Sequence, residues 1–220
     1  MTAAVAICLL VGYHSKSAAF LSLLLNVSLQ QRNMLILHQA DALLSALLLW
    51  SLFVPIGSRY AIDARRHEAP TSHDPIVSTG TVGLFLQVAL VYFSTFLFKI
   101  KLDLWRNGDA LWVTLNIDTY VTTIGQWLLA YPDLLRGMTW SSLVIEAIGP
   151  LLLLSPVANE RMRCLGIFLF LYLHIGIWFC LSIGLFQLLS VVAMFPFFPP
   201  LFWTGLARLG SLWSLQSRPA

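Results

Sequence analysis

A charged cluster, FKIKLDLW at residues 98–105, is the first stretch whose side chains could do chemistry. It follows a run without any charged side chain, residues 81–98, and brings Lys99, Lys101 and Asp103 close together in the sequence. In one continuous helix, Lys99 and Asp103 would share a face, because residues four positions apart are neighbours on a helix surface. This spacing favours the end of a membrane helix, closed by a Lys99–Asp103 ion pair at the boundary with water.

The same cluster also allows a catalytic interpretation. In the structural interpretation, Lys101 lays its apolar stem and ammonium over Trp105, as basic residues at membrane boundaries do. In the catalytic one, a lysine is buried, and burial disfavours the charged ammonium, so that a neutral amine can act as a general base near pH 7. Lys99 is nearer the apolar run, but spacing alone leaves open which lysine lies deeper.

Four more ionisable residues lie within or beside apolar segments, where their cost makes a functional role the first hypothesis. His38 and Asp41 are three positions apart, so the carboxylate either orients the imidazole or only satisfies neighbouring helix ends. Glu146 either meets a cation from another helix, stays protonated, or handles protons. His174 either forms a hydrogen bond between helices or contacts a substrate or quinone. Together with Lys99, these are the predicted catalytic residues.

Other chemistries find no support in the sequence. It contains no nucleophile elbow, P-loop, zinc signature or dinucleotide-binding glycine pattern. Cys8, Cys164 and Cys180 lie in or at the ends of apolar runs without metal-ligand spacing, which indicates buried small hydrophobic residues. The net charge is +3, and the charged residues are scattered over the polar connections between apolar segments. We therefore predict no metal site and no nucleic-acid partner.

The elements that must position these residues are predicted to be membrane helices. The chain has 220 residues, of which 58% are hydrophobic and only 10% charged, whereas soluble domains have about 25% charged residues. Uncharged apolar runs recur at lengths of about 18 residues or more. We predict an all-α, polytopic transmembrane helix bundle with about six or seven spans, formed by residues 1–220 as one domain in the lipid bilayer.

The helix boundaries follow from charges and helix breakers. We predict helices over 2–12, 18–30, 34–54, 76–99 and 139–155, one from 164 to about 192, and loops at 57–75 and 159–163. A further hydrophobic piece after 192 is interrupted by PFFPP at 196–200. Residues 110–131 contain Asn116, Asp118 and several threonines, which predicts either a span inside the bundle or a re-entrant segment.

Four stretches in a fixed order resemble a known family. They are LHQADALLSALLLWSLFVPIGSRYAID (37–63), YFSTFLFKIKLDLWRNGDAL (92–111), TWSSLVIEAIGPLLLL (139–154) and FLYLHIGIWFCLSIGLFQLLSVVAMFPFF (170–198). Their order and spacing resemble the horizontally transferred transmembrane (HTTM) domain, the membrane part of vitamin K-dependent γ-carboxylase and its bacterial relatives. The resemblance extends from Leu37 to Phe198 and so includes most of the chain.

The resemblance implies a role for one lysine. The carboxylase uses a lysine amine as the base that deprotonates reduced vitamin K, and oxygenation of the quinol then generates the stronger base that acts on glutamate. Alignment on Tyr92 and Trp105 places that lysine at Lys99, whereas alignment on Leu102 and Asp103 places it at Lys101. We prefer Lys99 because two landmarks agree. Asp41 stands where the carboxylase has a histidine, and His38 lies one turn away.

The resemblance also implies differences from the carboxylase. The first helix of the family and the large soluble half that handles the protein substrate are both expected to be missing. We therefore predict a multi-pass protein of a bacterial inner membrane, a quinol-linked modifying enzyme with reduced vitamin K or another quinol as cofactor. The alternatives are a non-enzymatic membrane partner that binds or matures a peptide or protein, and an inactive truncated paralogue.

Overall fold

A computed structural model of the chain describes residues 1–32, 39–58, 61–66 and 78–200, together with 202, 203 and 205. Within these residues the protein is all-helical, with eleven α-helices and one turn of 3-10 helix at Phe195–Phe197, and without a β-strand. The predicted all-α class is therefore confirmed. His38 and the first residues of the predicted helix over 34–54 lie outside the described residues.

The chain forms two compact units, Met1–Val88 with Gly184–Ala193, and Ala89–Ile183 with Met194–Ala220. The first unit holds α1 (Thr2–Val11), α2 (Ser15–Arg32), α3 (Gln39–Ser51), α4 (Ile62–Arg66), the first half of α5 (Thr79–Lys99) and α11 (Phe186–Val192). The second unit holds the rest of α5 with α6 (Asp103–Arg106), α7 (Ala110–Leu115), α8 (Thr123–Leu128), α9 (Pro132–Leu153) and α10 (Asn159–Cys180).

In the first unit, Asp63 of α4 holds the turn between α1 and α2. Its carboxylate accepts hydrogen bonds from the backbone amides of His14 (3.0 Å) and Ser15 (2.7 Å) and from the Ser15 hydroxyl (2.7 Å). Gly12 ends α1 with a φ of 68°, and a Cβ there would lie 2.3 Å from the Cβ of Ala61. The turn therefore requires glycine, because a left-handed backbone and a close approach coincide.

In the second unit, α9 and α10 form an antiparallel hairpin. A Cβ at Gly149 would lie 2.5 Å from the ring of Phe170, and one at Gly166 would lie 3.0 Å from the side chain of Leu153. Gly149 thus faces Phe170, whereas Leu153, which comes later in α9, faces Gly166, which comes earlier in α10. The two helices are therefore antiparallel, and these contacts define their register. One turn before Gly149, the same register places Glu146 opposite His174.

The segment between α6 and α9 turns back on itself instead of crossing the unit. Helices α7 and α8 have six residues each. Their junction is fixed to the end of α10, because the Ser182 amide donates to the Tyr120 carbonyl (2.7 Å) and the Thr122 amide to the Cys180 carbonyl (3.1 Å). The sequence predicted either a span inside the bundle or a re-entrant segment for residues 110–131. The prediction of a continuous span is therefore wrong.

Several predicted boundaries are also wrong. Helix α9 begins at Pro132 instead of residue 139, and Pro150 lies inside it. Residues 159–163, predicted as a loop, form the first turn of α10, which ends at Cys180 and not near 192. The predicted loop over 57–75 contains the short helix α4.

Two of the described helices, α5 and α10, are long and apolar enough to cross a membrane. The described residues thus do not support six or seven spans by this criterion. Length and composition indicate membrane association only weakly, because a core helix of a soluble protein meets the same criterion.

Candidate functional site

Lys99, the last residue of α5, forms an ion pair with Glu146 of α9. The amine lies 2.6 Å from Glu146 Oε1, and the two side chains are 22% and 6% exposed. Asp103 instead pairs with Arg106 in exposed positions, so the predicted Lys99–Asp103 pair is wrong. The physical reason is local, because α5 ends at Lys99 and the backbone is extended at Leu102 before α6 begins. The two residues therefore do not share one helix face.

Trp105 supplies the second contact of the Lys99 amine. The nitrogen lies 4.1 Å from the centre of the indole ring, a distance at which the ring face attracts a cation. The structure thus places Lys99 over Trp105, where the structural interpretation of the sequence had placed Lys101. Lys101 is exposed.

Glu146 is only partly satisfied by this pair. Its second oxygen, Oε2, is buried and has no hydrogen-bond partner among the described residues. Buried polar groups in proteins almost always have a partner, and an ionised carboxylate can accept about four hydrogen bonds. The carboxyl group therefore keeps an oxygen for a further donor, such as a ligand hydroxyl or a transferred proton.

A second polar contact links α5 to α10. The Tyr92 hydroxyl lies 2.8 Å from His174 Nε2, and the Tyr92 ring stacks on Phe170 with 4.0 Å between ring centres. Tyr92 precedes Lys99 by seven residues, so the two lie on one face of α5 about two turns apart.

These contacts form two polar pairs in the second unit, Lys99–Glu146 and Tyr92–His174. Helix α5 contributes the tyrosine and the lysine, while α9 and α10 contribute the glutamate and the histidine from opposite positions of their hairpin. Glu146, His174 and Tyr92 are buried. Three residues selected from the sequence thus lie in the second unit, where Lys99 contacts Glu146 and His174 contacts Tyr92.

A cavity of about 200 Å³ adjoins Lys99 and Trp105. Leucine is the commonest residue of its walls, which also contain isoleucine and methionine, and Ser141, Ser142 and Tyr172 are the lining residues that carry hydroxyl groups. Ser142 already donates to the carbonyl of Thr139 (2.7 Å) in its own helix. Drug-sized ligands fill about 300–1,000 Å³, so this cavity suits one apolar ring system rather than a large polar substrate.

Asp41 and His38 were the other two residues predicted to be catalytic. Asp41 belongs to the first unit, where its main-chain carbonyl accepts hydrogen bonds from Gln30 (3.0 Å) and Ser45 (2.8 Å). His38 lies outside the described residues. In the described part of the chain, no group of three or more His, Cys, Asp and Glu side chains is placed to hold a metal ion.

Two members of the site had no functional role in the sequence analysis. Tyr92 served only as a landmark for alignment, and Trp105 only as a second landmark and as the ring expected beneath Lys101. The seven-residue spacing of Tyr92 and Lys99 was a usable indication, because it places both on one face of an apolar helix.

Comparison of the chain with protein-family models, with curated proteins and with solved structures found no match.

Proposed function

We propose that the chain is a multi-pass membrane enzyme of the HTTM type, in which Lys99 accepts a proton from a hydroxyl group of an apolar, quinol-like ligand. The observation that carries the proposal is the Lys99–Glu146 pair, with 2.6 Å between its polar atoms, at the edge of an apolar cavity. Reduced vitamin K or another quinol is the cofactor class that the family resemblance implies.

The burial of the two apolar helices supports the membrane location. Only 17% of the most apolar part of α5 and 33% of that of α10 are buried inside the protein. A core helix of a soluble protein would bury most of such a surface, because apolar side chains leave water. Lipid is the solvent in which this exposed apolar surface of α5 and α10 is stable. Helix α9 is as long as α10, and the proposal assigns a further span to it on length alone. The remaining predicted spans would come from the first unit. The assignment to a bacterial inner membrane rests on the family resemblance.

The pair can provide a base because its charges are costly where water is scarce. Transfer of the Lys99 proton to Glu146 removes a buried carboxylate charge and a partly buried ammonium charge, and leaves an amine hydrogen-bonded to a carboxylic acid. The amine then takes the proton of a ligand hydroxyl. The products are a ligand oxyanion and an ammonium, which attract each other at short distance in a medium of low dielectric constant.

Other residues of the site have supporting roles in this proposal. Trp105 keeps the Lys99 amine at the edge of the cavity through the contact with its ring face. The hydrogen bond to Tyr92 holds the His174 ring in one orientation opposite Glu146. Neither role requires a metal ion or a charged substrate.

The proposal is tested with membranes that contain matched amounts of the wild type or a lysine variant. Reduced vitamin K is supplied in air, and formation of its epoxide is measured. We expect Lys99→Met to lower the rate by about 10²–10⁴-fold, the usual contribution of a general base. Lys99→Arg keeps a cation for Glu146 but cannot act as a base, so it should fail as well. Lys101→Met is the control that retains activity.

Two results would contradict the proposal. Equal rates for the wild type and Lys99→Arg would exclude the lysine as base. If the wild type forms no epoxide in an assay in which a vitamin K-dependent carboxylase is active, reduced vitamin K is excluded as the ligand. An intact ion pair in an inactive wild type would favour the alternative, a non-enzymatic membrane partner for a peptide or protein, because Lys99–Glu146 also joins two helices.

A further inference from the structure

We infer that residues 110–131, called the interfacial segment below, lie along one surface of the membrane in the headgroup and glycerol layer of one leaflet. They do not cross the hydrocarbon. This inference rests on the membrane location proposed above and is independent of the base chemistry of Lys99.

The lengths of the helices exclude a crossing in the observed conformation. Helices α7 and α8 are six residues long. A helix of that length extends only about 9 Å, roughly a third of the thickness of the hydrocarbon core. Between α7 and α8 the chain reverses at residues 117–120, with the Tyr120 amide donating to the Ile117 carbonyl (3.0 Å). The interfacial segment therefore consists of two short helices joined by a reversal of the chain.

The two ends of the interfacial segment meet at one charged residue. The guanidinium of Arg136 lies 3.5 Å from the carboxylate of Asp109, which precedes the segment, and 3.8 Å from that of Asp133, which follows it. The side chain of Asp133 is almost fully exposed. Ion pairs of exposed groups form in contact with water, so both ends lie on the same side of the membrane.

The inner side of the interfacial segment is packed against its own unit. Leu115 and Leu128 are buried in a hydrophobic cluster with Leu135, Cys180 and Leu181. Helix α10, one of the two described helices long and apolar enough to span, ends in that cluster. Because the cluster joins α7, α8 and the end of α10, the segment caps one end of the helix hairpin.

The outer side of the interfacial segment carries large aromatic and aliphatic side chains. Trp127 is 61% exposed, and its ring contacts that of Tyr131 with 5.0 Å between their centres. Trp112, Tyr120 and Ile124 are exposed as well. Asp118 is the one acidic or basic residue of the segment. Soluble proteins rarely expose such a patch, whereas tryptophan and tyrosine concentrate where headgroups meet hydrocarbon.

The partner of this surface is therefore a lipid layer. The aromatic rings have apolar faces for the acyl chains and polar N–H and O–H groups for the glycerol and headgroup layer. Four of the eight tryptophans, Trp105, Trp112, Trp127 and Trp140, lie in or beside the interfacial segment. Leu111 and Leu115 of the same segment also line the cavity beside Lys99.

Cysteine labelling tests the topology. The background is the full chain with Cys8→Ser, Cys164→Ser and Cys180→Ala, and Asn107→Cys or Asp133→Cys is added to it. A membrane-impermeant maleimide is applied to sealed vesicles of the two orientations. We expect both cysteines to react from the same side. Reaction from opposite sides would overturn the inference, because the segment would then cross the membrane.

Tryptophan quenching tests the depth. Single-tryptophan proteins retain Trp127, or carry Phe168→Trp in the middle of α10, and are placed in vesicles with lipids brominated near the headgroup or deep in the chains. Shallow bromine should quench Trp127 at least twofold more than deep bromine, and the reverse should hold at position 168. Stronger deep quenching of Trp127 would overturn the inference. Absence of quenching at both positions would instead refute the membrane location, and with it the proposed function.

Discussion

Lys99 and Glu146 are coupled, so the loss of Lys99 alone should cost more than the loss of both side chains. Lys99→Met leaves a buried carboxylate without its cation, and breaking a buried pair from one side costs about 3–5 kcal/mol. Glu146→Gln should cost less, because the Lys99 side chain is 22% exposed and can turn towards water. In Lys99→Met/Glu146→Gln the uncompensated charge is gone.

This prediction is measured as the free energy of unfolding in mixed micelles for the wild type, both single variants and the double variant. We expect the double variant to be more stable than Lys99→Met alone. Costs that simply add would show that the two side chains do not interact in the folded protein.

At the scale of residues, the sequence indicated which side chains were unusual but not which of them meet. Lys99, Glu146 and His174 were selected because ionisable groups in apolar segments are costly. Spacing then assigned Lys99 to Asp103, four positions away, and this was wrong. The actual partner is 47 positions away, and such a contact depends on how α5 packs against α9. Local periodicity contains no information about that packing.

The packing of α9 on α10 depends on a glycine at the point of closest approach. A Cβ at Gly149 would lie 2.5 Å from Phe170 Cζ, so Gly149→Ala must displace the ring that stacks on Tyr92. Overpacking of this kind typically costs about 1–3 kcal/mol. Gly137→Ala in the same helix is the matched control, because a Cβ there meets nothing within 4 Å.

Thermal unfolding of the two variants in the same detergent checks this prediction. We expect Gly149→Ala to lower the midpoint and Gly137→Ala to leave it unchanged or raise it, since alanine favours helix by up to about 1 kcal/mol over glycine. Equal effects of the two variants would mean that α9 and α10 do not pack closely at Gly149.

The turn between α1 and α2 should open in acid because it depends on an ionised carboxylate. The backbone amide of Ser15, followed by its hydroxyl, lowers the pKa of Asp63 below the ordinary value of 3.8. A carboxyl whose folded-state pKa is lowered stabilises the fold above its ordinary pKa and loses that contribution as the pH falls through the folded value. His14, Lys16 and Arg66 line the same cavity and add positive charge.

Amide hydrogen exchange, corrected for the intrinsic rate at each pH, measures this opening. In the wild type we expect the amides of His14 and Ser15 to be protected near neutral pH and to lose protection below about pH 4. In Asp63→Asn, which keeps the shape but not the charge, protection should be weak and independent of pH. A wild-type profile without a change in this range would exclude the carboxylate as the clamp.

At the scale of elements, the sequence predicted helices well where a charge or a helix breaker coincided with a boundary. Helix α5 was placed to within three residues of its start and ended correctly at Lys99. Helix α9 began seven residues earlier than predicted, because Pro132 occupies the first turn, where its missing N–H has no cost. The break after Cys180 falls in an uncharged run, so composition gave no indication of it.

At the scale of the whole molecule, the central question is which solvent surrounds the apolar side chains that the fold leaves outside. Leu90 lies in the middle of α5 and is 60% exposed, and Phe98, at the end of the same helix, is more exposed still. In water, a substitution at either surface position would change stability by no more than about 0.5 kcal/mol. In a bilayer, the free-energy cost of a charged substitution depends on how deeply the residue lies in the hydrocarbon core.

Leu90→Arg and Phe98→Arg therefore form a matched pair that reports the solvent. An arginine at the centre of a membrane helix costs about 2.5–3.5 kcal/mol on the insertion scale, whereas one at a helix end can extend to the headgroups. We expect Leu90→Arg to reduce the fraction of protein that remains in carbonate-washed membranes, and Phe98→Arg to leave it unchanged. Equal behaviour of the two variants, with both proteins in the supernatant, would place these surfaces in water, and the intramembrane base chemistry assigned to Lys99 would then have no physical basis.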